Sequence, residues 1–168
     1  VRIASKSPRI PTPEFTTAAL TLLPGFADAG LEEVMTEGAM YADSIRDSAP
    51  GIRVTGGPDL NVFNACAVRA LSHDCPDVTL SPELSGEDIA LLCSRLGDSG
   101  QVSVLVQGNI PAMITADTLL DLVRKRGDHR KRTSEAPVII YGLMDTTDRV
   151  FPVHPDPWGR TNILNAAE

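Results

Sequence analysis

The sequence predicts an α/β protein: a partial TIM-type (β/α) barrel of about five parallel βα units, followed by a C-terminal antiparallel β-hairpin. Three observations carry that expectation. Short aliphatic runs alternate five times with segments of helical spacing, the pattern of parallel strands joined by crossover helices. No GxGxxG loop follows a strand: TGGPDLN (Thr55–Asn61) has the wrong spacing and Pro58 obstructs it, which favours barrel units over a dinucleotide-binding sheet. Beyond residue 136 the alternation stops, and two apolar runs flank Asp145-Thr146-Thr147-Asp148, a hairpin pattern. Residues 1–136 are therefore expected to form the partial barrel, and residues 137–168 an appendage packing on the same domain. Five units cannot close an eight-stranded barrel, so an N-terminal barrel half or a second copy of the chain is an expected partner.

The strand candidates are Val1–Lys6, Leu31–Thr36, Ile52–Thr55, Val78–Ser81 and Val102–Gln107. The last, with Val102, Val104, Leu105 and Val106, reads as a strand covered on both faces. Gly108, Asn109 and Pro111 then break pairing ahead of an isolated Met113. Thr12-Pro13-Glu14 opens the first helix, with Thr as cap and Pro in the first turn. Its stripe runs through Ala18, Ala19, Leu22 and Leu23 until Pro24-Gly25 interrupts it. Ala39 to Ser48 and Asn61 to His73 are the next helices. Ser85-Gly86-Glu87-Asp88 is a capping box with Asp in the Glu position, opening a helix through Ile89, Leu92 and Leu96 that ends at Gly97. A further helix is expected over Ala116 to Arg126, and WGRTNILNA (158–166) supplies a turn and a short last strand.

Composition narrows the function. At 168 residues the chain suits one domain, and an aromatic content of 4% makes its core aliphatic. No apolar run approaches the roughly 20 residues needed to span a bilayer, so no membrane partner is expected. Cys66, Cys75 and Cys93 have no CxxC spacing. They read as reduced, mostly buried thiols of a cytoplasmic protein, without metal or iron–sulfur ligation. Cys66, inside the helical NACAV, is expected to be buried rather than a nucleophile. A net charge of -7 excludes a broadly basic nucleic-acid surface. RKRGDHRKR departs from that balance, placing six of the 15 basic residues within nine positions. Arg124, Lys125, Arg126, Arg130, Lys131 and Arg132 form either a solvated loop or a phosphate-binding patch for RNA.

No GxSxG elbow or HExxH pair is present, and His73, His129 and His154 have no partner at metal-ligand spacing. Chemistry is instead expected where loops leave the C-terminal ends of parallel strands and gather at one rim. Those loops bring Lys6 and Arg9, Glu37, Asp59 and Asn61, Ser81 and Glu83, and Gln107 with Asn109. Glu83 and Glu37 are the candidate catalytic carboxylates, either polarising a water while Lys6 or Arg9 faces developing negative charge. Lys6, Arg9, Asn61, Ser81, Gly108, Asn109 and Met113 are the candidate substrate contacts. Each has a plainer reading: Asn61, Asn64 and Ser85 suit helix caps, Glu83 suits a helix dipole, and Met113 suits core filling. No cofactor is expected.

SPRI (Ser7–Ile10), LNVFN (Leu60–Asn64), VTLSPELSGEDI (Val78–Ile89), VQGNIPAMIT (Val106–Thr115) and DRVFPVHPDPWGRTNILNAAE (Asp148–Glu168) occur in that order. Together they resemble the collagenase-like peptidase family, peptidase U32, over nearly the whole chain. The resemblance implies a TIM-type barrel, of which these motifs belong to the later part, and hydrolysis of a peptide or protein substrate. Other members of the family are RNA or quinone hydroxylation factors that hold an iron–sulfur cluster through cysteines. Here Ser103, Leu105 and Pro111 replace the residues of that cysteine-bearing signature, and the tail has Trp158-Gly159 where cluster binders place a cysteine. An iron–sulfur cluster is therefore not expected. An RNA-modifying relative without its cluster, or a non-catalytic half-barrel module, stands as the alternative to the peptidase.

Overall fold

The computed structural model describes residues 3–97, 100–108, 110–117, 141–156 and 159–165. The chain divides into two compact units, Val1–Val106 and Gln107–Glu168. The boundary falls earlier than the position 136 expected from the end of the alternation.

The first unit runs β1 (Ile3–Lys6), α1 (Pro13–Asp28), β2 (Leu31–Thr36), α2 (Ala42–Ser48), β3 (Arg53–Gly56), α3 (Ala65–Leu71), β4 (Asp77–Thr79), α4 (Gly86–Leu96) and β5 (Gln101–Ser103). The strands lie in sequence order, every neighbouring pair parallel. A helix connects each pair, an arrangement consistent with part of a βα barrel.

Register explains which face the helices cover. Val34 lies beside Val54, Gly56 beside Val78, and Val78 beside Val102. The valines of this face join Leu23, Ile45, Val68, Leu92 and Leu96, one or more from each helix, in a single aliphatic core. Each such side chain contributes about 1.5–3 kcal/mol when fully buried. The opposite face is polar, pairing Glu33 with Arg53, Thr55 with Asp77, Asp77 with Gln101, and Thr79 with Ser103. Thr55 Oγ1 donates to Glu33 at 3.0 Å, Arg53 donates to Gln101 at 3.0 Å and Asp77 at 3.4 Å, and Ser103 Oγ donates to Asp77 at 3.0 Å. These strands therefore alternate, where parallel strands buried on both faces read as continuous apolar runs.

Several expected boundaries move for identifiable reasons. β5 ends at Ser103, and Val104, Leu105 and Val106 are exposed, so this is a short edge strand and not one covered on both faces. α1 continues through Pro24 to Asp28, because Leu20, Leu23 and Ala27 extend one stripe into the core and outweigh the lost hydrogen bond. Thr12 caps that helix at the Phe15 amide, and Ser85 and Asp88 complete the expected capping box on α4. α3 begins at Ala65 rather than Asn61: Val62 pairs with Leu80, both 1% exposed, and keeps the chain extended until Asn64 caps the helix. Of the helix expected over Ala116 to Arg126, positions beyond Asp117 lie outside the described residues.

The second unit is a four-stranded antiparallel sheet in the order β6-β9-β8-β7, formed by β6 (Pro111–Thr115), β7 (Tyr141–Met144), β8 (Val150–Pro155) and β9 (Thr161–Leu164). The hairpin expected around Asp145 is β7–β8. Asp145 Oδ1 accepts from the Thr147 and Arg149 amides, and Asp148 takes the positive φ of 62° that closes the turn. β6 was not expected, since Pro111 reads as a breaker. It begins an edge strand, where a missing amide donor is tolerated. No helix among the described residues is long and apolar enough to cross a membrane.

Candidate functional site

The parallel register brings the exits of β1 to β4 to one edge of the first unit. Ser7 follows β1 and Glu37 follows β2; the Ser7 amide donates to the Met35 carbonyl, and the Glu37 amide donates to Ser7 Oγ at 3.1 Å. Gly57 follows β3 and its amide donates to the Thr36 carbonyl, which draws the third exit against the second. Ser81 follows β4, and its amide donates to Val62. Three backbone bonds, and one from the Glu37 amide to the Ser7 side chain, thus stitch the strand exits to one another.

Glu37 lies at the centre. Its side chain is 0% exposed, its Oε2 accepts the Asp59 amide at 2.9 Å, and Lys6 Nζ stands 2.6 Å from Oε1. The ammonium approaches off the hydrogen-bonding direction, so Oε1 has a counter-charge without a directed hydrogen bond. Gly57 makes room for this carboxylate, because a Cβ there would stand 2.3 Å from Oε2. Lys6 itself is 52% exposed and offers its ammonium to solvent as well as to Glu37.

Asp59 extends the chain of charges. Arg9 Nε is 3.2 Å from its Oδ1. Burial pushes the Asp59 carboxyl above the usual carboxylate range and the like charge of Glu37 adds to that, while Arg9 and Lys6 pull it back. Lys6, Glu37, Asp59 and Arg9 therefore form one short arc, two neighbouring carboxylates with a cation at each end. Beside them Asn61, held in the left-handed conformation at φ 55°, accepts from Ser81 Oγ at 3.1 Å.

Of the expected residues the structure thus links Lys6 and Arg9 through Glu37 and Asp59, and separately pairs Asn61 with Ser81. Asn61 does not cap α3; Asn64 does. Glu83 is exposed, and among the described residues Lys6 and Arg9 face Glu37 and Asp59 instead. Its amide lies 3.4 Å from Ser81 Oγ. Gly108 and Met113 belong to the second unit, Met113 on β6 opposite Ile163 and 54% exposed. Asn109 and the basic residues Arg124, Lys125, Arg126, Arg130, Lys131 and Arg132 lie outside the described residues. The sequence does not distinguish Ser7 as a site residue, and it places Asp59 at the rim without an acid/base role. The Gly56-Gly57 doublet just before Asp59 was the available signal, since paired glycines mark close approach by another group.

Among the described residues no cluster of three or more metal-ligating side chains forms. The three thiols are free; Cys75 is buried, which pushes its thiol up, but Cys66 and Cys93 are exposed. The expectation that Cys66 is buried is corrected because Ala65 and Val68 take the core-facing positions of α3. A scan against family models finds no match for the chain, and no curated protein matches it.

Proposed function

We propose that the chain is a peptide hydrolase of the collagenase-like kind, its first unit forming part of a TIM-type barrel in a cytoplasmic protein. The motifs from Ser7 to Glu168 that resemble peptidase U32 support this reading. The observation that carries it is the convergence of Lys6, Glu37, Asp59 and Arg9 where three strands of one parallel sheet end. Asp59 is the acid/base: a half-buried carboxyl with a raised pKa exchanges protons closer to neutral pH than an ordinary aspartate. Its carboxylate takes a proton from water as the water oxygen bonds to the peptide carbonyl carbon. Lys6 faces the oxyanion that forms. When the carbon–nitrogen bond breaks, Asp59 returns the proton to the leaving amine, giving one carboxylic and one amine product. Arg9 and Asn61 border the same mouth and suit the polar backbone of an extended peptide.

The test is hydrolysis of a mixed peptide library by the purified protein, followed by mass spectrometry. Asp59→Asn and Lys6→Met are each expected to lower kcat about 100-fold or more. Glu83→Gln is expected to leave it within about twofold. Cleavage that survives Asp59→Asn, or that Glu83→Gln abolishes, contradicts the assignment.

A further inference from the structure

We propose that Glu37 is the positioning residue of this rim, a buried carboxylate that holds Lys6 and the Asp59 loop in one geometry, and that Gly57 is glycine in order to admit it. The inference rests on the reading of the rim as the site, but its geometry stands apart from any reaction. A fully buried carboxylate needs partners to offset its lost hydration. Glu37 has two, the Lys6 ammonium at 2.6 Å and the Asp59 amide at 2.9 Å, and Gly57 leaves room for it between the strand exits. Each contact reaches a different part of the chain. Lys6 is the last residue of β1, Asp59 lies in the 3-10 turn Pro58–Leu60 after β3, and Glu37 follows β2. One side chain thus ties three consecutive strand exits together.

The same position keeps Glu37 away from solvent. Its side chain has no exposure, and one of its oxygens is already an acceptor for a backbone amide. Its influence on chemistry runs through its neighbours. Its charge keeps Lys6 turned toward the rim, and its closeness to Asp59 makes ionisation of that carboxyl harder. The charged groups acting on Asp59 are Glu37 from the β2 exit, Lys6 from β1 and Arg9 from the loop before α1.

The experiment uses no substrate, so its outcome is independent of whether peptides are cleaved. In the intact protein, hydrogen exchange at the Asp59 amide and the carboxyl carbon titration of Asp59 are followed by NMR. Glu37→Gln keeps an acceptor oxygen of the same shape and removes the charge. The Asp59 amide is expected to stay protected while the Asp59 midpoint moves down. Gly57→Ala places a methyl group where the carboxylate lies, and is expected to speed exchange at the Asp59 amide by about tenfold or more. An unmoved Asp59 midpoint in Glu37→Gln, or an Asp59 amide in folded Gly57→Ala as protected as in the parent, overturns the proposal. Should Gly57→Ala fail to fold, the Glu37→Gln titration decides alone.

Discussion

At the N-terminal ends of β2 and β3 the first unit carries a cavity of about 610 Å³, lined by Pro24, Asp28, Glu32, Ser48, Pro50 and Arg53 among others. At the opposite ends of the same strands lies the interlocked set of Lys6, Glu37, Asp59 and Arg9. The hollow is the more conspicuous feature, yet the paired charged side chains gather at the other end. The cavity is bounded by helix C-termini and turn residues, and the one cation among its described lining residues, Arg53, is turned along the sheet toward Asp77 and Gln101. At the rim, by contrast, Lys6 faces Glu37 and Arg9 faces Asp59, each pair joining different strand exits. Empty volume records where short connections fail to fill space. Convergence of charged side chains from separate strands has a cost in desolvation that packing alone does not require.

Stability measurements sharpen that contrast. Glu37→Ala leaves the Asp59 amide without its charged acceptor, and is expected to cost about 2 kcal/mol in urea unfolding; half-exposed Lys6 can return to water, which holds the loss below that of a fully buried pair. A smaller effect is expected in the pH dependence. The folded-state pKa of Asp59 lies above its unfolded value, so the folded protein holds this proton more tightly. That contribution is complete below the unfolded pKa and is lost as pH rises through the folded one. Asp59→Asn should therefore flatten the fall in stability on the alkaline side of the ordinary carboxylate range, as read from unfolding curves at several pH values. The least effect belongs to the other end, where Asp28→Ala is expected to change stability by no more than about 0.5 kcal/mol. Equal losses for Glu37→Ala and Asp28→Ala would erase the distinction between the two ends.

Much of the frame could be read from residue order alone. Leu31–Thr36 is a strand at the expected limits, and Thr12, Ser85 and Asp145 behave as their chemistry dictates, because caps and turns depend on neighbours only a few positions away. Features set by distant partners were less legible. Val104 to Val106 are as aliphatic as any core strand, but β5 ends at Ser103 and leaves them exposed. Pro111 reads as a breaker and Met113 as isolated until β9, some 50 residues later, pairs with them. The rim shows the same limit. Strand exits identify Lys6, Glu37, Asp59, Asn61 and Ser81 as neighbours, but Glu37 and Glu83 are alike as letters. Only the close approach of Gly57 and Asp59 separates a buried positioning carboxylate from an exposed one.

The most direct test of the rim as the working site is an amide chemical-shift titration of the protein with a cleavage-resistant peptide carrying a reduced bond. Perturbations are expected at Lys6, Ser7, Glu37, Asp59, Asn61 and Ser81, the residues that close the strand exits. Perturbations centred on Asp28, Glu32 and Arg53 at the opposite end, or none at saturating peptide, would contradict it.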